Sequence, residues 1–197
     1  MKNNSNRHDY YFNKAKKEGY PARSVYKLRE IDKKFNLIKQ GDNILDIGSS
    51  PGSWLLYLSK KVGKKGNVCG VDLKETQIDL PDNANFIKKD VFLIKPEDFK
   101  LNEFDVIVSD LAPKTSGVKI TDAARSLRLN QKVLELAEEF LKKDGHLVLK
   151  IFDGEDVNIF IKILKKNFES VRRYIPKATR KKSREIYIVC KSFLKND

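Results

Sequence analysis

Apolar residues recur along the 197-residue chain in two alternating patterns: a helical spacing of about 3.6 and short continuous runs of strand length. Val25, Leu28, Ile31 and Phe35 line one face of a helix predicted over Ala22–Phe35, with Lys27 beside that face, and a shorter helix is predicted over His8–Lys17. From Asn43 onward, Ile44–Ile47, Asn67–Asp72, Asn85–Ile87, Asp105–Ser109, His146–Phe152, Val171–Tyr174 and Arg184–Lys191 read as strands. Helices are predicted at Ser53–Val62, Ala123–Leu141 and Val157–Asn167. Such alternation implies an α/β fold, a mostly parallel sheet of seven strands with helices on both faces. No helix separates the last two strands, so they should form a hairpin that introduces one antiparallel strand. Pro176 has no N–H for a ladder, so the chain should leave the sheet there. The expected organisation is one domain over residues 1–197, with a helical segment at about 8–40 and a Rossmann-like core at about 41–191.

Two of the apolar runs carry a charge that packing alone does not call for. Lys150 sits within Leu147–Phe152, and Asp110 ends the run that begins at Phe104. Both look like strands that deliver one reactive group each, although a strand-end lysine can also snorkel to solvent. A third run turns through Asp46-Ile47-Gly48-Ser49-Ser50-Pro51-Gly52-Ser53-Trp54, the place where a doubly wound sheet binds a nucleotide-like ligand. Gly48 and Gly52 permit close backbone approach. A dinucleotide fingerprint needs a middle glycine and free N–H groups for a pyrophosphate; Ser50 replaces that glycine and Pro51 removes a donor. The turn therefore favours a cofactor with no phosphate to cradle. Asp72 ends the second strand, where a carboxylate can accept ribose hydroxyls, and Asp90 follows the third, within reach of an adenine amino group. Either can instead be a cap. Trp54 opens the next helix and has two readings, core packing or cofactor contact.

Charge adds a partner. Lys and Arg number 40 against 27 Asp and Glu, a net +13. Residues 1–40 hold a surplus of seven and residues 171–185 a surplus of six, which leaves the rest of the chain neutral. Clustered cations suit a polyanion, and Tyr10, Tyr11, Phe12, Tyr20 and Tyr26 lie among them, available either to stack on bases or to anchor helices. Cys69 and Cys190 each fall in an apolar run, as expected of small buried hydrophobes in a reducing compartment. Neither a disulfide nor a metal site is expected: His8 and His146 stand alone, without ligand spacing. No run approaches membrane-span length, and Met1–Asn6 lacks the apolar core of a secretory signal, so an intracellular protein, cytoplasmic or organellar, is expected.

Taken in order, Ala22-Arg23-Ser24-Val25-Tyr26-Lys27-Leu28, the turn from Asp46 to Trp54, Ser109-Asp110-Leu111-Ala112-Pro113, Leu149-Lys150-Ile151-Phe152 and Ser183-Arg184-Glu185-Ile186-Tyr187-Ile188-Val189 resemble the FtsJ/RrmJ family of ribose 2′-O-methyltransferases. The resemblance spans about Tyr10 to Cys190. It implies a class I S-adenosylmethionine-dependent methyltransferase fold and a catalytic tetrad of Lys27, Asp110, Lys150 and Glu185. Cofactor contacts would come from Gly48, Gly52, Trp54, Asp72, Asp90 and Asp110. The ending Ala178–Tyr187 looks like the branch that acts on a uridine of large-subunit ribosomal RNA, with the tRNA anticodon loop as the alternative. The expected partner is RNA in a large ribosomal particle, contacted by Arg23, Tyr187, Arg180, Lys181 and Lys182, and a monomer is expected.

Methyl transfer to a hydroxyl requires an in-line geometry and a group that takes the proton, which a lysine can do only when neutral. Lys150 is the candidate base. Asp110 would orient its amine, Lys27 would steady the developing alkoxide or a phosphate, and Glu185 would fix the hydroxyl or a lysine. Two rival classes are a nicotinamide-dependent oxidoreductase, which Pro51 disfavours, and an RNA-binding assembly factor without catalysis, which need not keep the four residues together.

Overall fold

A computed structural model describes residues 5–195, with side chains from Tyr10 onward; Met1–Asn4 and the side chain of His8 lie outside the described residues. Two helices, α1 (Ser5–Lys17) and α2 (Val25–Phe35), precede the sheet. Then come β1 (Asn43–Ile47), α3 (Ser53–Val62), β2 (Asn67–Asp72), β3 (Ala84–Lys88), β4 (Phe104–Ser109), α4 (Lys119–Phe140), β5 (Leu141–Phe152), α5 (Val157–Asn167), β6 (Phe168–Tyr174) and β7 (Glu185–Phe193).

The sheet has seven strands in the order β3-β2-β1-β4-β5-β7-β6. β7 slots between β5 and β6 and runs antiparallel to both, so the expected hairpin forms and also reaches across to β5. β6 ends at Tyr174, just before Ile175-Pro176. Chain order reverses between β1 and β4, and the crevice beyond the carboxyl ends of those strands is where such sheets take a ligand.

Alternation along the strands sorts side chains to two cores. Leu147, Leu149 and Ile151 join Ile186 and Ile188 under α4 and α5, whereas Val148, Tyr187 and Val189 join Leu28, Ile31, Leu55 and Leu58 of α2 and α3. Each fully buried Leu or Ile contributes roughly 1.5–3 kcal/mol, which makes these two layers the main hold on the sheet. The predicted ends shift where local bonds compete. α2 starts at Val25 rather than Ala22: the preceding residues form a tighter turn, with Tyr26 N on Arg23 O and Lys27 N on Ser24 O, and Ser53 Oγ accepts from the Ala22 N–H at 2.7 Å. α4 starts at Lys119, a turn before Ala123, since the Asp122 carboxylate ties the preceding loop to it through Ser116 N at 2.7 Å. β5 reaches back to Leu141, with a register shift against β4 between Phe104 and Val106.

α2 is moored by a buried carboxylate that pattern reading passed over. Asp32 accepts from Ile38 N at 3.0 Å and Tyr57 Oη at 2.7 Å and pairs with Lys61 Nζ at 2.9 Å. This bond set joins α2 to α3 and fixes the helix that carries Lys27.

Candidate active site

β5 and β7 lie in a register that opposes Lys150 to Tyr187 and Phe152 to Glu185. Directly opposed residues point to the same sheet face, so Lys150, Tyr187 and Glu185 rise together towards α2. β4 ends beside them and supplies Asp110. Lys150 Nζ lies 3.1 Å from Asp110 Oδ1 and also donates to the Asp110 carbonyl. Tyr187 Oη donates to the same Oδ1 at 2.7 Å. On the far side of the tyrosine ring, Lys27 Nζ stands 5.9 Å from the ring centroid and pairs with Glu185 Oε1 at 2.5 Å. Four side chains scattered over the sequence thus form two cation–carboxylate pairs joined by one tyrosine.

Burial gives the pairs their character. The Lys150 side chain is 8% exposed, and those of Lys27 and Glu185 are 12% and 13% exposed. Tyr187 is wholly buried, and burial first, then the Asp110 and Glu185 carboxylates, push its phenol well above the ordinary value. It remains a protonated donor. This overturns the expectation that Tyr187 meets the substrate nucleotide: it lies behind the tetrad and holds Asp110. Arg184 does not pair with Glu185; its guanidinium donates to Lys119 O at 3.2 Å and to Asp153 O.

The glycine turn is close-built. Gly48 has φ of 81° and Gly52 of 111°, and a Cβ on either would come within 2.9 Å of Leu111 or 2.8 Å of Ile78. Asp72 closes the turn: Oδ2 accepts from Ser50 N at 3.0 Å and Oδ1 from Lys74 N at 2.9 Å, leaving each oxygen a second lone pair for a ligand hydroxyl. Asp90 Oδ1 accepts from Phe92 N at 3.0 Å, the cap geometry weighed from sequence. Trp54 is 2% exposed, its indole N–H on Ser24 O at 3.0 Å and its ring 6.2 Å from that of Tyr187. Its indole is therefore core, and its main-chain N–H lies in the first turn of α3, where no intrahelical carbonyl takes it.

Asp46 was read only as part of the turn, yet both its carboxylate oxygens and Ser49 Oγ are buried without hydrogen-bond partners. Burial, then the nearby charges of Asp110 and Asp72, raise Asp46 well above the carboxylate range. An apolar run ending in Asp-Ile-Gly signalled it, but alternation cannot show that the side chain lacks a partner. Small backbone clearances, unspent hydrogen-bonding capacity and a turn poor in phosphate donors together fit a nucleoside sulfonium.

Of the basic residues, Arg23 is an anchor, with Nη2 on Ala178 O at 2.6 Å and the guanidinium 5.8 Å from the Tyr11 ring centroid. Arg180, Lys181 and Lys182 are exposed on the loop that leads into Glu185.

A family model described as FtsJ-like methyltransferase matches residues 20–193. The ribosomal RNA large subunit methyltransferase E of Nitratidesulfovibrio vulgaris (strain DP4) is 46% identical over 187 residues, 92% of this chain and 91% of that protein. The protein of the same name from Bdellovibrio bacteriovorus is 48% identical over 189 residues, covering 93% and 96%. A crystal structure described as a ribosomal RNA methyltransferase of Plasmodium falciparum superposes with a TM-score of 0.79 at 31% identity, over 90% of this chain and 100% of that one. Aeropyrum pernix fibrillarin with natively bound S-adenosyl-L-methionine shares the fold, with a TM-score of 0.58 at 19% identity over 85% and 76%. A match over most of the chain means that the chain belongs to the FtsJ-like methyltransferase family.

Proposed function

We propose that this protein methylates the ribose 2′-hydroxyl of a uridine in large-subunit ribosomal RNA inside the cell, with S-adenosylmethionine as donor. The observation that carries the reading is the cluster Lys150–Asp110–Tyr187 beside Lys27–Glu185 at the carboxyl end of the sheet. The names of relatives at 46% and 48% identity support the RNA class.

Gly48, Gly52, the Trp54 N–H, Asp72 and Asp90 would hold the donor, which supplies an electrophilic methyl group when bound. Lys150, delivered by β5, acts from its neutral amine form: it takes the proton of the 2′-hydroxyl as the oxygen becomes a nucleophile, and the ammonium so formed is the cation that Asp110 holds. Asp110 fixes the direction of the Lys150 amine, and Tyr187 fixes Asp110. Lys27, held by Glu185, places a positive charge where the sugar oxygen develops negative charge.

The test is radiolabelled methyl transfer to isolated large-subunit RNA and transfer RNA, with mass-spectrometric mapping of 2′-O-methyl positions. Lys150→Ala should lower turnover by roughly 10²- to 10⁴-fold, with cofactor affinity retained. Full turnover in that variant would remove Lys150 from the chemistry, and label in transfer RNA alone would overturn the substrate.

A further inference from the structure

The parallel ladder between β4 and β5 closes at Ser109 and Leu149, one residue short of the reactive side chain on each strand. Beyond that point Asp110 stays with β1, its N–H on Ile47 O at 3.1 Å. Its carbonyl accepts from the Lys150 side-chain amine, which enters beyond the last ladder pair. The gap that admits the amine therefore deprives the end of β5 of its neighbour, and buried backbone groups there need other partners.

Helix α4 provides them. Asn130 Nδ2 donates to Lys150 O at 2.9 Å, and Ser126 Oγ accepts from Phe152 N at 3.0 Å. Both residues are buried, and with Asp122 they form a polar stripe four residues apart, on a helix whose later inward positions Val133, Leu134, Ala137 and Phe140 are apolar. The Asn130 amide also donates to Ser126 O at 2.8 Å; both of its partners are carbonyls, so the amide orientation is unambiguous. Its Oδ1 is left buried without a partner. An orphaned acceptor lowers stability where a leucine would simply join the core, so packing alone does not account for Asn130.

We propose that Asn130 and Ser126 are positioning residues for Lys150: they replace the missing β4 ladder and hold the end of β5 so that the amine meets Asp110. The inference rests on the reading of Lys150 as the base. Misplacing a reacting group by about 1 Å costs on the order of 10²-fold in rate, so partial loosening should be visible in turnover.

The experiment is steady-state methyl transfer on large-subunit RNA well below the melting temperature, with cofactor affinity by calorimetry. Asn130→Leu should lower kcat by roughly tenfold, leaving the KM for RNA and the cofactor Kd within about twofold. Ser126→Ala should show a smaller kcat loss that Ser126→Thr, which keeps the hydroxyl, restores. Wild-type kcat in folded Asn130→Leu, with only the melting temperature changed, would overturn the proposal. Should Asn130→Leu not fold, the Ser126→Ala and Ser126→Thr pair decides, and equal kcat in both sinks it. Lys150→Ala serves as the reference: if it is inactive while Asn130→Leu is unimpaired, the positioning role alone fails. If Lys150→Ala is fully active, the reading of the site fails instead.

Discussion

At the scale of single residues, two buried side chains both hold their protons more tightly than usual. Tyr187 keeps its proton and spends it on Asp110 at 2.7 Å, which holds a carboxylate ready to orient Lys150. Tyr187→Phe leaves the ring packed near Trp54 and Lys27 but deletes that bond to a charged group, whose contribution is about 1.5–3 kcal/mol. Single-turnover methyl transfer should slow by about tenfold or more, with cofactor affinity unchanged; an unchanged rate would reduce Tyr187 to packing. Asp46 is raised for a different reason, burial without a partner beside Asp110 and Asp72. Its native pKa is raised, so the unfolded chain releases this proton first as pH climbs. The stability linked to Asp46 is full below the ordinary carboxylate value of about 3.9 and is lost as pH rises towards the raised native value. Asp46→Asn should therefore flatten the fall in melting temperature of the cofactor-free protein between acidic and neutral pH. Identical slopes for the two proteins would show that another group carries it.

At the scale of elements, sequence pattern found what a run or a period can encode. β1, β2, β4 and β5 stood out as apolar runs, and Lys150 and Asp110 stood out because they break or end one. The pairing of β6 with β7 followed from the absence of a helix between them. What alternation cannot carry is depth. It cannot tell a rim position from a wholly buried one, so the RNA contact expected of Tyr187 meets a ring sealed in the core. The same limit hid the stripe Asp122, Ser126 and Asn130. Helical periodicity assigns polar residues to solvent, whereas here they point inward because strand ends and a loop present unpaired backbone groups to α4. Asp32 escaped likewise: its partners Ile38, Tyr57 and Lys61 lie on other segments, so nothing near it in the chain marks it as buried.

For the whole molecule, the two basic windows of the sequence meet: among the described residues, the helix of the first is bonded to the loop of the second. Glu30 of α2 accepts from Tyr174 Oη at 2.5 Å and from Lys177 N at 2.9 Å, and Arg23 donates to Ala178 O, so α2 and the loop before β7 are tied across the chain. Ala178 packs with Ala15, Val25 and Tyr26, whereas Tyr10 and Phe12 remain exposed, which divides the N-terminal aromatics into anchors and candidate stacking faces. Because the loop ends at Glu185, a phosphate backbone that engaged Arg180, Lys181 and Lys182 would be led towards the tetrad. Each phosphate neutralised releases counterions, so log affinity should fall with log salt by about 0.7 per contact for single strands and about 0.9 for duplex. Replacing Arg180, Lys181 and Lys182 together with Ala should weaken RNA binding at low salt and flatten the slope by roughly 2 to 3 if all three engage phosphates. Affinity measured from low to moderate salt on a fragment of large-subunit RNA checks both. A weaker affinity with an unchanged slope would mean that the loop acts through shape and hydrogen bonds, and an unchanged affinity would make these cations a solvated face.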